Sequence, residues 1–506
     1  MPVTHESVIP LLAVLAPLAA IPLILLSSRR PNLREFWTLA AAFTACGLVL
    51  SLLPGVLAGR TVAYDILTIS PGIALSLRVD PTGLFFAIIC SSLWILTSFY
   101  SIGYVRGAGE KKQTRYFASF ALCIGATLGI ALSANLLSFV IFYEMLSLGT
   151  YPLVIHKETR ESYRSGRMYL TYALSAGLLL IVATAWTWTL AHNLDFRPGG
   201  FLGGVLADEG AARALFLLFI AGVGVKAGLM PLHSWLPAAM VAPTPVSALL
   251  HAVAVVKSGV FGVIRVAGFV FGPATMQAFG LDTILAAVAA VTIILASVIA
   301  LRQDNLKKRL AFSTIGHLSY IVLGVALLSP EGFMGGLLHL ANHATTKIAL
   351  FFCAGAIYVN LHKTEISELD GIGKVMPWTM AAFTVGVLGL SGVPPINAFV
   401  SKFYLCKGAV SSGQLVFLAV FLASGLLNMA YFFPILHRAF FRPGGAGLHG
   451  HGEASPLMVV PIVIVAVLSL VLGLYPNALV HFFDLARGIS QSVMAGAAAP
   501  LAGLAP

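Results

Sequence analysis

Residues 226–261 read KAGLMPLHSWLPAAMVAPTPVSALLHAVAVVKSGVF. The stretch is apolar, yet prolines at 231, 237, 243 and 245 cut through it, and Lys226 and Lys257 stand near its two ends. Proline removes a helix donor and frees a carbonyl one turn back. On both sides the chain continues as apolar blocks of about 20 residues, the length that crosses a bilayer core as helix. Broken backbone at membrane depth is tolerated where it lines a cavity or packs against protein. A second break, LSGVPPINAFVSK at 390–402, contains Pro394 and Pro395 and ends on Lys402. A third irregular patch, glycine-rich, covers 444–452. Pro231, Pro394 and Pro395 thus mark helix breaks inside a membrane protein.

Composition agrees. Of 506 residues, 58% are hydrophobic and 10% are charged, where a soluble domain carries about 25% charged residues. A β-barrel needs shorter segments that alternate polar and apolar, and these are absent. The fold class is therefore all-α integral membrane, with about fourteen spans at roughly 7–26, 36–57, 82–104, 116–133, 136–155, 168–190, 212–233, 246–269, 281–301, 310–328, 332–359, 378–399, 415–437 and 457–483. The two proline breaks fall five spans apart, in spans seven and twelve. Breaks at matching places in two half-sequences point to inverted repeats around a mid-membrane path. An odd number of spans makes the copies opposite in topology. The division is 1–115 for helices 1–3, 116–270 for the first five-helix repeat, 271–437 for the second, and 438–506 for a loop, helix 14 and tail.

Charge sets the orientation. With the N-terminus outside, the cytoplasmic loops hold 19 basic residues, among them Arg29, Arg30, Arg34, Lys111, Lys112, Arg160, Lys307 and Lys308, and the opposite side holds six. That bias fits the positive-inside rule and puts both termini on the outer, periplasmic face. His5 and Glu6 precede the first apolar run, so it reads as an uncleaved span and not a signal peptide. The net charge of +11 reports orientation and gives no case for nucleic acid. The five cysteines lie inside apolar segments without zinc or iron–sulfur spacing, so no cofactor, metal site or redox centre is expected in the chain. His449 and His451, in HGHGE, read as a flexible loop rather than a metal site.

The chemistry lies in charges that apolar spans rarely carry. Glu144, in SFVIFYEMLSLGTY, is the one acidic residue deep in a span; a carboxylate there needs a cationic partner or a proton. Lys226, Lys257, Lys347 and Lys402 lie within spans, and Lys402 is near enough to an end to snorkel. Burial disfavours charged lysine and a nearby carboxylate favours it, so a buried lysine with a counter-ion can bind and release a proton. His339, His343 and Lys347 recur every four residues and share one helix face. His251 and His317 are single histidines within spans, and histidine exchanges protons near neutral pH. Sodium would more naturally use carboxylates and carbonyl oxygens. Arg265, near the end of span eight, reads as interfacial. His233 shares a face with Lys226 if the helix continues.

The 226–261 run, NHATTKIALFFCAGAI and LSGVPPINAFVSKFYL together resemble the antiporter-like family, over nearly the whole chain. That family comprises proton-pumping membrane subunits of complex I, Mrp-type cation/proton antiporters and membrane-bound hydrogenases. The resemblance implies fourteen helices, two inverted five-helix repeats, and partners that are other membrane subunits, homologous antiporter-like ones included, besides lipid. It implies that Glu144 pairs with Lys226, that Lys257 lies on the uptake side, that His317, His339, His343 and Lys347 continue a central axis, and that Lys402 ends it. The chain looks most like the D-type member of Mrp antiporters and the M-type member of complex I, since it stops soon after span fourteen; PTPVSALLHA, with His251, is more like the L type. It implies a subunit of a translocase, such as an NADH-quinone oxidoreductase-like or hydrogenase complex, with no catalytic site of its own. Sodium/proton exchange, proton coupling to inorganic-carbon uptake and a non-conducting scaffold stay open as alternatives.

Overall fold

A computed structural model describes residues 4–249, 253–444 and 452–496. His251, His449 and His451 lie outside the described residues. The first part of the chain forms α1 Ile9–Leu26, α2 Pro31–Ser51, α3 Leu53–Leu57, α4 Pro81–Gly107, α5 Gln113–Ala131, α6 Leu136–Val154, α7 Arg160–Ala191 and α8 Glu209–Ala227. Short pieces follow, α9 Trp235–Ala238 and α10 Thr244–Ala248, then α11 Val255–Arg265, a π turn over Val266–Phe271 and α12 Pro273–Ala278. The rest comprises α13 Leu281–Leu301, α14 Leu306–Ala326, α15 Pro330–Leu361, α16 Ile372–Val375, α17 Pro377–Ser391, α18 Asn397–Ser411, α19 Leu415–Phe441, α20 Pro456–Leu474 and α21 Phe482–Ala495.

Among the described residues, twelve helices are long and apolar enough to cross a membrane. The remaining two expected spans are eight and twelve. Span eight is described as α10 and α11, with 250–252 outside the described residues and a π turn after α11, and span twelve is broken into α17 and α18. Span seven breaks as expected, after Ala227, so His233 does not continue the Lys226 face. Span fourteen ends at Leu474, short of the expected 483, and α21 is a separate helix against α4 and α15.

Both breaks have the same local cause. Pro231 has no N–H for the Ala227 carbonyl, nor Pro394 for that of Leu390, and each helix stops at a glycine in the left-handed region, Gly228 at φ 71° and Gly392 at φ 89°. Trp235 Nε1 donates to the Val225 carbonyl at 2.8 Å. At the second break, Asn397 Nδ2 donates to Thr345 Oγ1 at 2.8 Å, and Thr346 donates to Asn397 Oδ1 at 3.1 Å. The threonines beside the α15 polar stripe thereby hold the start of α18. Unbroken helices begin on side chains that accept the first free amides, Asp80 for α4, Asn135 for α6 and Ser329 for α15.

One element departs from the helical pattern. Strands β1 Thr4–Glu6, β2 Thr61–Ser70 and β3 Ile73–Val79 form a sheet in that order, β1 parallel and β3 antiparallel to β2. The sheet, the Arg78–Asp195 ion pair and α21 border one cavity of about 950 Å³. Both described ends of the chain therefore lie at one face.

Candidate functional site

Lys226 occupies the last turn of α8 and is fully buried. Its Nζ donates to the Tyr143 carbonyl at 2.6 Å and stands 3.3 Å from the centre of the Tyr143 ring. Glu144, the next residue on α6, is half-buried, accepts a 3.4 Å bond from Ser147 and rests against Gly177 of α7, where a Cβ would stand 2.3 Å from its carboxyl carbon. The two charges are thus neighbours through Tyr143. No ion pair within 4.0 Å joins them, so the amine is held by a carbonyl dipole and a ring face, and the carboxylate is free to move.

Lys257, in the first turn of α11, is also fully buried. Its Nζ lies 2.8 Å from His343 Nδ1 on α15. α11 approaches the end of α8 so closely that a Cβ at Gly259 would meet the Ala227 amide at 2.2 Å. Among the described residues no side-chain hydrogen bond links Lys257 to Lys226; the polar bond runs to the other half of the chain.

Beside His343 a second polar system spreads through α14, α15, α17, α18 and α19. The His343 and His317 rings stack at 5.4 Å. His317 Nδ1 lies 3.1 Å from His339 Nε2, and His339 Nδ1 lies 2.9 Å from Ser401 Oγ. Asn428 Nδ2 lies 3.3 Å from His317 Nε2 and donates to the Leu390 carbonyl at 3.2 Å. That carbonyl, orphaned by Pro394, also accepts Lys402 Nζ at 2.5 Å. Lys402 therefore turns inward and does not snorkel. Asn428 Oδ1 accepts from Tyr431, whose hydroxyl lies 2.9 Å from Ser313 Oγ, and Lys347 Nζ donates to that same oxygen at 2.8 Å.

The donor inventory orders this system. The Asn428 amide nitrogen only donates, so His317 Nε2 accepts and its Nδ1–H points to His339 Nε2. His339 Nδ1–H then donates to Ser401, whose hydroxyl donates to the Ala398 carbonyl at 3.0 Å. A proton taken up at one end and released at the other reverses both tautomers. The Nε2 atom of His343 is buried with no protein partner, one open position where the rings stack without a bond.

Eight of the nine candidate residues are described, and seven of these, all but Glu144, are bonded into the two polar clusters. Glu144 reaches Ser147 only. Sequence reading missed Ser313, Tyr320, Ser401, Asn428 and Tyr431, each buried. Asn428 had a signal, as the lone amide in the apolar helix α19. Arg265 is corrected from interfacial to buried. It is 1% exposed, pairs with Asp80 through both terminal nitrogens at 2.5 and 2.9 Å, and lies against the Phe196, Phe261 and Phe269 rings.

Among the described residues, twelve helices long and apolar enough to cross a membrane surround a buried set of lysines and histidines, and this defines a multi-pass membrane protein. The chain belongs to the family described as NADH:quinone oxidoreductase/Mrp antiporter, TM, whose profile matches residues 133–427. It is 33% identical over 361 residues to hydrogenase-4 component B of Escherichia coli K12, covering 69% of this chain and 53% of that one, so it spans about half of that relative. It is 29% identical to NADH-quinone oxidoreductase subunit N of Desulforudis audaxviator, over 93% of this chain and 97% of that one. Its fold is similar to that of a chain of the Mrp complex from Dietzia sp. DQ12-45-1b, with a TM-score of 0.85 and 21% identity over 96% of this chain and 99% of that one. It is likewise similar to a chain of the membrane-bound sulfane sulfur reductase, an archaeal respiratory membrane complex, with a TM-score of 0.86 and 23% identity over 97% and 100%.

Proposed function

We propose that this chain is a proton-translocating, antiporter-like subunit of a multisubunit membrane complex, in a cell membrane with both termini outside and with inverted repeats at 116–270 and 271–437. The observation that carries the reading is a buried polar array: Lys257 bonded to His343, whose ring stacks on the bonded network of His317, His339 and Asn428 that reaches Lys402 and Lys347. A buried charge is costly in a membrane interior, and a static scaffold has no use for four such lysines. Protons enter at Lys257, pass His343, His317 and His339, and leave by way of Lys402. Lys226 and Glu144 sit beside the path, where a change of charge at Glu144 raises or lowers the proton affinity of Lys226. Subunits with homologous lysines are the natural neighbours for Glu144, since it is half-buried within one chain.

The test is proton movement by the intact complex in sealed vesicles, followed with a pH-sensitive dye. Asn428→Leu removes the amide that joins His317 to Tyr431 and to the Leu390 carbonyl shared with Lys402. It is expected to slow translocation by about tenfold or more, the lower range for loss of a positioned proton-transfer group, with assembly unchanged. Normal rates would overturn the relay. Flux that requires sodium would instead favour sodium/proton exchange.

Gly177→Ala probes the lateral pair. The clashing atoms are the far end of a flexible side chain, so folding is expected to change by less than about 1 kcal/mol. Glu144 must swing away, and translocation is expected to fall in the same dye assay while the thermal midpoint holds.

A further inference from the structure

At the face bearing the basic loops, a second set of ionisable groups surrounds the start of α10. Glu110 lies in the α4–α5 loop, its side chain 13% exposed, and His156 follows α6 with its side chain 1% exposed, Nε2 lying 3.7 Å from Glu110 Oε2. That separation is too long for a direct hydrogen bond, and neither ring nitrogen of His156 has a hydrogen-bond partner. Lys157 stands 5.5 Å from the Tyr358 ring of α15, and Lys307 Nζ, at the start of α14, donates to the Ala242 carbonyl at 2.8 Å, just before α10. Arg115 bonds both the His156 carbonyl, at 3.1 Å, and Glu158, at 2.5 Å, which also holds Lys112.

A line of hydroxyls leads inward from this cluster. Thr244 Oγ1 lies 3.5 Å from the Tyr104 hydroxyl. Tyr100, beside them at Gly355 of α15, donates to the Phe352 carbonyl at 2.7 Å. One turn into α10, the Ser247 hydroxyl is fully buried with no protein partner. Buried polar groups are nearly always satisfied, by protein or by water, so these hydroxyls and ring nitrogens suit a path that carries protons through water. Along α15 the distance from Tyr358 to His343 is roughly 22 Å at about 1.5 Å per residue, and α10 covers the part of it that precedes Lys257.

We propose that Glu110 and His156, held between Lys157 and Lys307, form the proton-uptake port of this chain, and that the Tyr104–Thr244–Ser247 line conducts protons from it to Lys257. This inference rests on the proton-translocation reading. A proton from bulk water binds the Glu110 carboxylate, passes through water to a ring nitrogen of His156, and moves on through water past Ser247 to the Lys257 amine. Lys157 and Lys307 keep other cations off the port, and Arg115, paired with Glu158, faces His156 from α5. Burial raises the Glu110 carboxyl while Lys157 and Lys307 lower it. Burial, then Arg115, holds His156 down at about 4, so its ring is neutral at pH 7 and holds a proton only in passing.

The test uses the full chain in its own complex in sealed vesicles of both orientations. The thiol of Ser247→Cys is expected to react with a small quaternary-ammonium methanethiosulfonate from the basic-loop face, at least about tenfold faster than from the other face, because reaction needs a water-exposed thiolate. Thr244→Cys serves if the first variant does not assemble. Protection from both faces would overturn the path. In parallel, Glu110→Gln is expected to slow proton uptake by about tenfold and Glu110→Asp to restore part of it. Full uptake by Glu110→Gln, when Lys226→Ala has lost it, overturns the port alone. Full uptake by Lys226→Ala overturns the translocation reading and the port with it.

Discussion

Lys226→Met is expected to cut proton translocation by on the order of 100-fold or more, the size of effect of a proton-binding group, because its charge beside the path sets when the path takes up and releases protons. The complex should assemble at normal levels. Methionine matches the length of the lysine stem, so no cavity opens at this fully buried position. The Tyr143 carbonyl keeps an acceptor role without the amine, because Ser147 Oγ also donates to it at 3.1 Å. Replacing a buried charge that lacks an ion-pair partner by an apolar side chain is neutral or favourable for folding. The two readouts therefore separate: the thermal midpoint of the purified complex holds or rises, while dye-detected proton movement disappears. A Lys226 that served only as packing would give the reverse pattern. Lys226→Ala should lose translocation as well, with an added cost of about 2–5 kcal/mol in the manner of other large-to-alanine changes in a core. Glu144→Ala should also lose it, since the proton affinity of Lys226 would then lack its adjustable neighbour.

What was legible in the sequence depended on whether the signal was local. His339, His343 and Lys347 declared a common face by their four-residue spacing, because that spacing and the helix repeat are the same geometry. The prolines at 231 and 394 located both breaks by removing named donors. Partners of the relay were not legible. Ser313, Ser401 and Tyr431 are ordinary residues in apolar helices, and each acquires its role only when α14, α18 and α19 are brought against α15. The resemblance pairs Glu144 with Lys226; the amine makes its hydrogen bond to the Tyr143 carbonyl, a backbone partner that no side-chain pattern announces. The hairpin at 61–79 carries β-branched residues and a Pro71–Gly72 turn, but hydropathy reading treats everything between two spans as loop. The π turn after α11 was hidden because no proline lies between Pro245 and it.

Asp80→Ala is expected to be the most destabilising single change outside the relay. It leaves the Arg265 guanidinium charged, 1% exposed and surrounded by three phenylalanine rings, and breaking one side of a buried pair costs about 3–5 kcal/mol. Asp80 also accepts from the Gly83 amide at 2.6 Å as the cap of α4, which adds about 1 kcal/mol. Gly83 itself admits no side chain, since a Cβ would stand 2.3 Å from the Ala131 carbonyl, so α4 has no room to shift toward the exposed charge. The double change Asp80→Ala with Arg265→Met should recover most of the loss, measured as thermal midpoint in detergent, because the uncompensated charge and not the missing contact carries the cost. Recovery of stability need not recover transport. Arg265 and Lys257 lie on the same helix, about 12 Å apart at 1.5 Å per residue, and the Asp80 pair fixes the height of α11 against α4. Sliding α11 by about 1 Å would stretch the 2.8 Å Lys257–His343 contact beyond hydrogen-bond length. A double variant that regains its midpoint but still moves protons slowly would assign Arg265 a positioning role for Lys257, and one that regains both would confine the pair to folding.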